Sequence, residues 1–305
     1  MSEASPSVLS FLPKEIKEEY KSLLFKLPRG SSKLFEEKVI VPSFYLKKIF
    51  DTSQTSDPKT LSRTEIEAHL LGFQYFAHFI KPSPQASGIN DPAKATHIDF
   101  LLIALDKVRS IANSVFKFKA LDPNEETKKL TELAKVDAKN LKESAKIFND
   151  TSLSTVIESL NSFLNPKTET SNLTPRSKNA EELFNAEKSL STLIRASARY
   201  LHDSVKGPTR VGMAKVVQSN MLEITSKPKR AATIKAIVSI SIGAFFLLRM
   251  FLFISNPLTK QAIIAAVLGH LAVLPLVYGY EEAKKALEIN KKEKFFSEFI
   301  FKTLA

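Results

Sequence analysis

Apolar residues recur every three or four positions along most of this chain, which is the spacing of one face of an α-helix. In the longest segments the steps of three and four alternate, as in coiled coils and helical bundles. Three such seams consist of Ile98, Leu101, Leu105, Val108, Ala112 and Val115; of Leu130, Ala134, Ala138, Leu141, Ala145 and Phe148; and of Leu183, Ala186, Leu190, Leu193, Ser197 and Tyr200. Narrow seams of this kind are buried against one another, so they predict an elongated antiparallel helical bundle. No stretch alternates with a period of two for long, and we therefore expect an all-α fold.

Several polar residues mark where these helices begin. Ser62, followed by Glu65, forms a capping-box pattern that opens a helix to about Ile80. Asp91-Pro92 and Asp122-Pro123 each offer an N-cap followed by proline at the first helical position. Before them, residues 13–27 form an amphipathic pattern, with one apolar side made of Ile16, Tyr20, Leu23, Leu24 and Leu27.

Prolines predict where helices end. We expect Pro42 to break residues 31–50 into short helical pieces, and Gly207-Pro208 to end the helix on residues 179–206. We expect Lys227-Pro228 to end the helix that follows, on residues 209–226.

The most distinctive pattern lies near the C-terminus, where two apolar segments flank a turn signal. Residues 236–258 contain a single charge, Arg249, and residues 261–280 contain none. About 20 apolar helical residues span a bilayer core of about 30 Å, so each segment is long enough to cross. Ser255-Asn256-Pro257 predicts the turn. A buried hairpin in a soluble bundle is the alternative, but a core helix is usually shorter and keeps a polar stripe.

The last 25 residues combine an apolar face with many lysines. The apolar face contains Leu287, Phe295, Phe296, Phe299, Ile300 and Leu304. Two interpretations stand equally: a basic helix lying on lipid headgroups, or a tail helix packed on the bundle. The first, together with Arg249 of the hairpin, gives a predicted membrane-interface set made of Arg249, Lys284, Lys285, Lys291, Lys292, Phe295, Phe296 and Phe299.

These patterns predict four parts along the chain. Residues 1–60 form an N-terminal helical or irregular region, and residues 61–228 form the helical bundle. Residues 229–280 form a transmembrane helical hairpin, and residues 281–305 a basic amphipathic tail helix.

Composition narrows the function classes. The 305 residues include no cysteine, which excludes disulfides, zinc–cysteine sites and thiol catalysis. The net charge is +12, of which +4 falls on residues 231–305 and +8 on the remainder. Aromatic residues do not interleave with this charge as they do in nucleic-acid-binding proteins, so we expect no nucleic-acid partner. An anionic lipid surface is the more economical partner.

Charge also predicts an orientation in the membrane. Lysine and arginine are concentrated before residue 236 and after residue 280, whereas the turn carries only Lys260. The positive-inside bias therefore places both termini in the cytoplasm and the turn across the membrane.

The candidates for chemistry are few. Glu65 and His69 form at most a two-ligand metal edge, and a half-exposed pair on one helix is the favoured interpretation. His97 with Asp99 is interpreted as a polar first turn. His202-Asp203 has no serine or cysteine nucleophile motif around it. No phosphate-binding, zinc-protease or hydrolase motif occurs, so we predict no enzyme activity and no catalytic residue, cofactor or metal site.

His270 and Arg249 differ because they fall inside the predicted membrane segments. Ionisable groups in that position are functional candidates by default. We interpret His270 as a neutral imidazole hydrogen-bonded within the hairpin. We interpret Arg249 as an anchor that extends toward the far headgroups.

We expect a membrane-anchored helical scaffold whose bundle binds protein partners on the cytoplasmic side. The alternative is a pore-forming or membrane-remodelling protein that acts through the hairpin. The layout, a helical domain followed by a late hydrophobic hairpin, resembles colicin-type channel domains. The paired apolar segments resemble, over about 45 residues, the bilobed domain of chlamydial inclusion-membrane proteins, which implies tethering of host organelles. They also resemble reticulon-like hairpins, which implies membrane curvature.

Overall fold

A computed structural model describes residues 12–54, 60–80, 91–118, 125–166, 175–205, 207–254 and 259–305. All regular secondary structure within these ranges is helical, as the apolar spacing predicts. The described chain forms two compact units. Unit 1 comprises the described residues up to Val41 together with Val217–Ile300, and unit 2 comprises Pro42–Val216 with Phe301–Ala305.

The helices follow one another along the whole described chain. In order they are α1 Lys14–Leu24, α2 Arg29–Phe35, α3 Val41–Gln54, α4 Arg63–Ile80, α5 Pro92–Phe118, α6 Glu125–Ile147, α7 Ser154–Leu164, α8 Pro175–Ser204, α9 Pro208–Ile254 and α10 Thr259–Leu304. A π-helical turn, Glu36–Ile40, joins α2 to α3, and a 3₁₀ turn, Thr151–Leu153, precedes α7.

Unit 2 is a helical bundle in which neighbouring helices pack together, α4 on α5, α5 on α6 and α7 on α8. The predicted seams supply its core. Ile98, Leu101 and Leu105 are buried on α5, as are Leu190 and Leu193 on α8. The ends of the seams are less covered, since Leu130 and Leu183 are half-buried and Phe148 is exposed. The middle of each of these two seams therefore points into the core of the unit.

Two of the predicted helix starts are confirmed in detail. The Glu65 carboxylate accepts hydrogen bonds from the Ser62 amide at 2.9 Å and from its hydroxyl at 2.8 Å. These bonds lower the pKa of Glu65 below its usual value. Asp91 accepts a bond from the Ala93 amide at 2.9 Å, with Pro92 as the first residue of α5. The Asp122-Pro123 signal lies outside the described residues.

Two of the three predicted proline breaks are wrong. Helix continues through Pro42, because the π-helical turn before it lets the Val41 amide bond to the Glu36 carbonyl. Helix also continues through Pro228, which lies inside α9. The break at Gly207 is confirmed, where a φ of +46° separates α8 from α9.

Unit 1 is built on the two longest helices, α9 and α10, with α1 and α2 packed on α10. The amphipathic pattern of residues 13–27 is confirmed, since Ile16, Tyr20 and Leu23 are buried. The Phe35 ring lies between two aromatic neighbours, 6.1 Å from Tyr20 and 5.1 Å from Phe296 between ring centroids. These rings form an aromatic core that joins α1, α2 and α10.

Candidate functional site

The candidate site is the hairpin made by the described parts of α9 and α10. A Cβ added at Gly243 would lie 2.5 Å from Leu276, and one at Gly279 would lie 2.7 Å from Ile240. The Gln218 amide donates to Ser297 at 2.7 Å. The two residue numbers of each pair add to nearly the same value, between 515 and 519. The helices therefore run antiparallel in one register from residue 218 to at least residue 243.

Small residues make the inner seam of the apolar part of this hairpin. Ala236 and Gly243 are buried on α9, and Ala265, Ala272 and Gly279 are buried on α10. The α10 members are spaced by seven residues, which keeps them on the side facing α9. Their size lets the backbones approach closely, since a Cβ at Gly279 would lie only 3.1 Å from the Ile240 amide nitrogen and 3.2 Å from the Ala236 carbonyl oxygen.

Large apolar residues occupy the outer surface of the same segment. They are Ile237, Val238, Ile240, Ile242, Phe245, Leu248, Phe251, Leu252 and Ile254 on α9, and Ile263, Ile264, Val267, Leu271, Val273, Leu274, Val277, Tyr278 and Tyr280 on α10. Their exposed fractions run from 42% to 75%. The hairpin therefore has an inside-out distribution, with small residues buried and large apolar residues exposed.

Both helices are long and apolar enough to cross a membrane. A core helix of a soluble protein passes the same test of length and composition, but such a helix is mostly buried. Here the apolar windows of both helices are mostly exposed. The predicted turn, Ser255-Asn256-Pro257, lies outside the described residues.

Arg249 and His270 both lie on the exposed surface of the apolar segment. The Arg249 guanidinium lies over the Phe245 ring, 5.3 Å from its centroid, and five residues before the end of α9. That position is about 8 Å from the helix end, within reach of the long side chain. The His270 Nδ1 is 3.0 Å from the Ala266 carbonyl, a bond within its own helix. Neither side chain occupies the inner seam.

The basic and aromatic residues predicted for the membrane interface divide into two groups. Lys284 and Lys291 are exposed and Lys285 is half-buried on α10, whereas Lys292 pairs with Glu19 of α1. Phe295 and Phe299 are half-buried.

Phe296 does not belong to a lipid-facing group, because its side chain is 0% exposed and packs on Phe35. The tail helix packs on protein, but not on the bundle of unit 2 that the second interpretation named. Its partners in unit 1 are α1, α2 and α9.

A buried polar cluster between α9 and α10, outside the apolar segment, was not foreseen from the sequence. Glu293, 7% exposed, accepts hydrogen bonds from the Thr225 hydroxyl and from Lys229, which bracket Pro228 on α9. A buried carboxylate with two donors fixes the register of the pair, since breaking either contact leaves a charge poorly solvated. The sequence held only a weak signal for this contact. Glu293 lies seven residues after Ala286, which lies seven residues after Gly279, and this spacing puts all three on the side facing α9.

Two histidines of the bundle, His69 and His97, are buried and hydrogen-bonded. His69 is buried rather than half-exposed, and it bonds to the Glu65 carbonyl and to the Thr52 hydroxyl, each at 2.5 Å. Burial lowers its pKa. His97 is also buried, and its partner is Asp150 at 3.1 Å rather than Asp99. No group of three potential metal ligands occurs among the described residues.

Neither a protein-family model, nor a curated protein, nor a solved structure matches this chain. The proposals below therefore depend on the geometry and charge of the chain itself.

Proposed function

We propose that this protein is an integral membrane anchor and scaffold, whose hairpin spans a bilayer and whose bundle recruits protein partners at that membrane. The observation that carries the proposal is the inside-out distribution of residues on the hairpin. In lipid, helix pairs associate through small residues at close approach, and their large apolar side chains face the acyl chains.

The size of the apolar surface favours a bilayer over water. Transfer of one Leu, Ile, Val or Phe side chain out of water is worth about 1.5–3 kcal/mol, and the hairpin exposes eighteen large apolar residues. Partial exposure reduces the gain per residue, but the total remains on the order of tens of kcal/mol. Soluble monomers rarely expose apolar patches beyond a few hundred Å².

The length of the apolar surface matches a bilayer. On α9 it covers residues 236–254, and on α10 residues 261–280. At about 1.5 Å per residue these segments measure about 28 Å and about 30 Å, close to the hydrocarbon thickness of about 30 Å.

Basic residues are concentrated on both helices at one end of this apolar surface. Residues 227–235 hold four basic and no acidic residues, and residues 281–292 hold four basic and three acidic residues. The described part of the other end, residues 249–254 and 259–262, holds only Arg249 and Lys260. The positive-inside bias places the Lys235 and Glu281 ends in the cytoplasm, together with both termini.

The bundle supplies surfaces for the recruiting role. The seam residues are largely buried within the bundle itself, but Leu133 and Val136 on α6 are 52% and 54% exposed. These side chains and Phe184, exposed on α8, are where we expect protein partners to bind.

Alkaline carbonate extraction of membranes from cells expressing the full chain tests the anchor. We expect the wild-type protein to stay in the membrane pellet through carbonate and high-salt washes. Leu271→Lys with Phe245→Lys places two charges about 15 Å from the Lys235 and Glu281 level, near the bilayer centre, and should release much of the protein. The matched pair Leu133→Lys with Val136→Lys should stay in the pellet. Wild-type protein in the carbonate supernatant would overturn the proposal.

Glycosylation in endoplasmic-reticulum membranes tests the orientation. Asn149 and Asn172 are acceptors by sequence pattern, and on this topology they never enter the lumen. They should therefore remain unmodified, whereas an acceptor engineered into a lengthened turn near Pro257 should be modified. Sugar on Asn149 or Asn172 would invert the topology. A bare turn with both native sites bare would indicate a hairpin that enters the bilayer without crossing it.

A further inference from the structure

The corner between α1 and α2, residues 25–29, is the part of this helix pair nearest the apolar segment of α10. On α1, Glu19 pairs with Lys292, and seven residues later, just past the end of α1, Lys26 pairs with Glu288 at 2.8 Å. The chain then turns at Pro28, and on α2 the Phe35 ring packs on Phe296. Helix α1 therefore runs toward the apolar segment of α10, and α2 runs back from it.

The height of this corner above the membrane follows from the rise of α10. Tyr280 is the last residue of the apolar segment, and Glu288 lies eight residues beyond it, about 12 Å along the helix. Phe296 lies about 24 Å beyond it. The bilayer extends to about 40–45 Å in all with its headgroups, so these occupy about 5–8 Å on each side. A Phe or Lys side chain on the corner is long enough to reach that layer.

The corner has the residue types that bind an anionic interface. Phe25 is 87% exposed, which is unusual for an aromatic side chain, and Pro28 and Arg29 beside it are also exposed. A cleft of about 650 Å³ opens next to it, and its lining residues are Ser22, Phe25, Lys26, Glu288, Lys291 and Lys292. Glu288 and Glu19 hold Lys26 and Lys292 in place.

The charge of this level is net positive, although Glu19 and Glu293 pair with two of its lysines, Lys292 and Lys229. Residues 21–33, 227–235 and 281–292 together hold twelve basic and three acidic residues. Each basic residue close to an anionic leaflet contributes about 1 kcal/mol of attraction. Exposed aromatic rings beside such charges are typical of segments that lie in the headgroup region.

We propose that the α1–α2 corner is a second, peripheral contact with the membrane, in which Phe25 enters the interface and the basic cleft binds anionic phospholipid headgroups. The proposal rests on the proposed function, because the hairpin brings the corner to that level. It assigns the interfacial role to the corner of α1 and α2 in place of the buried Phe296. It also predicts that the lipid composition of the leaflet affects the orientation of unit 1.

Cysteine labelling tests the corner, because the chain has no cysteine of its own. Phe25→Cys, labelled with a polarity-sensitive fluorophore, is reconstituted as the full chain into phosphatidylcholine vesicles with or without phosphatidylserine. We expect a blue-shifted emission and several-fold less aqueous quenching when phosphatidylserine is present. Leu34→Cys is the matched control, since Leu34 is exposed on α2 next to Phe35, well above the headgroups. Its label should stay aqueous in both vesicles.

Two further arms separate the possible failures. Leu274→Cys reports the hairpin: an apolar label there with an aqueous label at position 25 overturns the corner and keeps the anchor. Aqueous labels at both positions overturn both proposals. Arg29→Glu with Lys291→Glu should return the position-25 label toward water in phosphatidylserine vesicles, and no effect would contradict a role for charge. A blue shift produced in detergent by inorganic phosphate alone would assign the cleft to a free anion and overturn the lipid contact.

Discussion

The bundle of unit 2 and the hairpin of unit 1 use the same apolar residue types with the same helical spacing, and they place them on opposite sides. In the bundle, Ile98 and Leu101 are 0% exposed, and charged residues such as Lys128 and Glu132 are on the surface. In the hairpin, Ala272 is 0% exposed and Leu274, two residues later, is 75% exposed. The difference shows that periodicity identifies a face of a helix but does not say whether that face is turned inward.

The largest expected effect on stability is the difference between truncating a leucine buried in the bundle and truncating a leucine exposed on the hairpin. Leu105→Ala opens a cavity in the bundle and should lower the unfolding free energy of the detergent-solubilised chain by about 2–5 kcal/mol. Leu274→Ala removes a side chain that faces detergent and should change it by no more than about 0.5 kcal/mol. Denaturant unfolding followed by circular dichroism measures both. Equal losses for the two variants would remove the contrast between the regions.

A second expected effect concerns the small residues of the hairpin seam. At Gly279 a methyl group would meet the backbone of α9, so Gly279→Ala should destabilise by about 1–3 kcal/mol. Gly212 is on α9, and a Cβ added there would meet no atom within 4 Å. Gly212→Ala should therefore stabilise the folded protein by about 0.5–1 kcal/mol. Thermal unfolding of the two variants should therefore shift in opposite directions. A Gly279→Ala variant as stable as the wild type would contradict the close approach of the helices.

The smallest effect is a pH-dependent one in the bundle. Burial alone would raise the pKa of Asp150, but hydrogen bonds from Ser152 and His97 outweigh it and lower that pKa. Because the folded pKa is lowered, the contribution is present above the ordinary value of about 3.9 and is lost as pH falls through the folded value.

Asp150→Asn should therefore cost about 1 kcal/mol near neutral pH, and its difference from the wild type should shrink in acid. Melting temperatures measured from about pH 6 to about pH 3 test this. Asp99→Asn, on the exposed side of α5, is the control and should behave as wild type throughout. A constant difference in melting temperature between Asp150→Asn and wild type across that range would show that the charge of the Asp150 carboxylate does not contribute to stability.

Local signals in the sequence predicted much of the fold. The capping box at Ser62, the Asp91-Pro92 start and the seam on α5 depend on residues within one helix, and each is confirmed. The two long apolar segments could also be predicted, because their length and composition can be read from the sequence.

The features that were missed depend on distant partners. The His97 ring bonds to a residue 53 positions away, and Phe296 packs on Phe35 from the other end of unit 1. Pro228 stays helical where Thr225 and Lys229, on either side, bond to Glu293 of α10. Propensity and spacing carry no information on which segment covers a face, so burial of the tail was one of two open interpretations.

Spin labels on single cysteines test the central claim, that the large apolar residues of the hairpin face lipid. Val238→Cys and Leu274→Cys lie on its outer surface, and Leu287→Cys, 63% exposed at the wild-type leucine, lies seven residues beyond the apolar segment. In liposomes, labels at 238 and 274 should be accessible to oxygen and protected from a water-soluble nickel complex, and the label at 287 should show the reverse. Access of the nickel complex to 238 and 274 would place the hairpin in water, and protection from both reagents would place it against protein; either result contradicts the account.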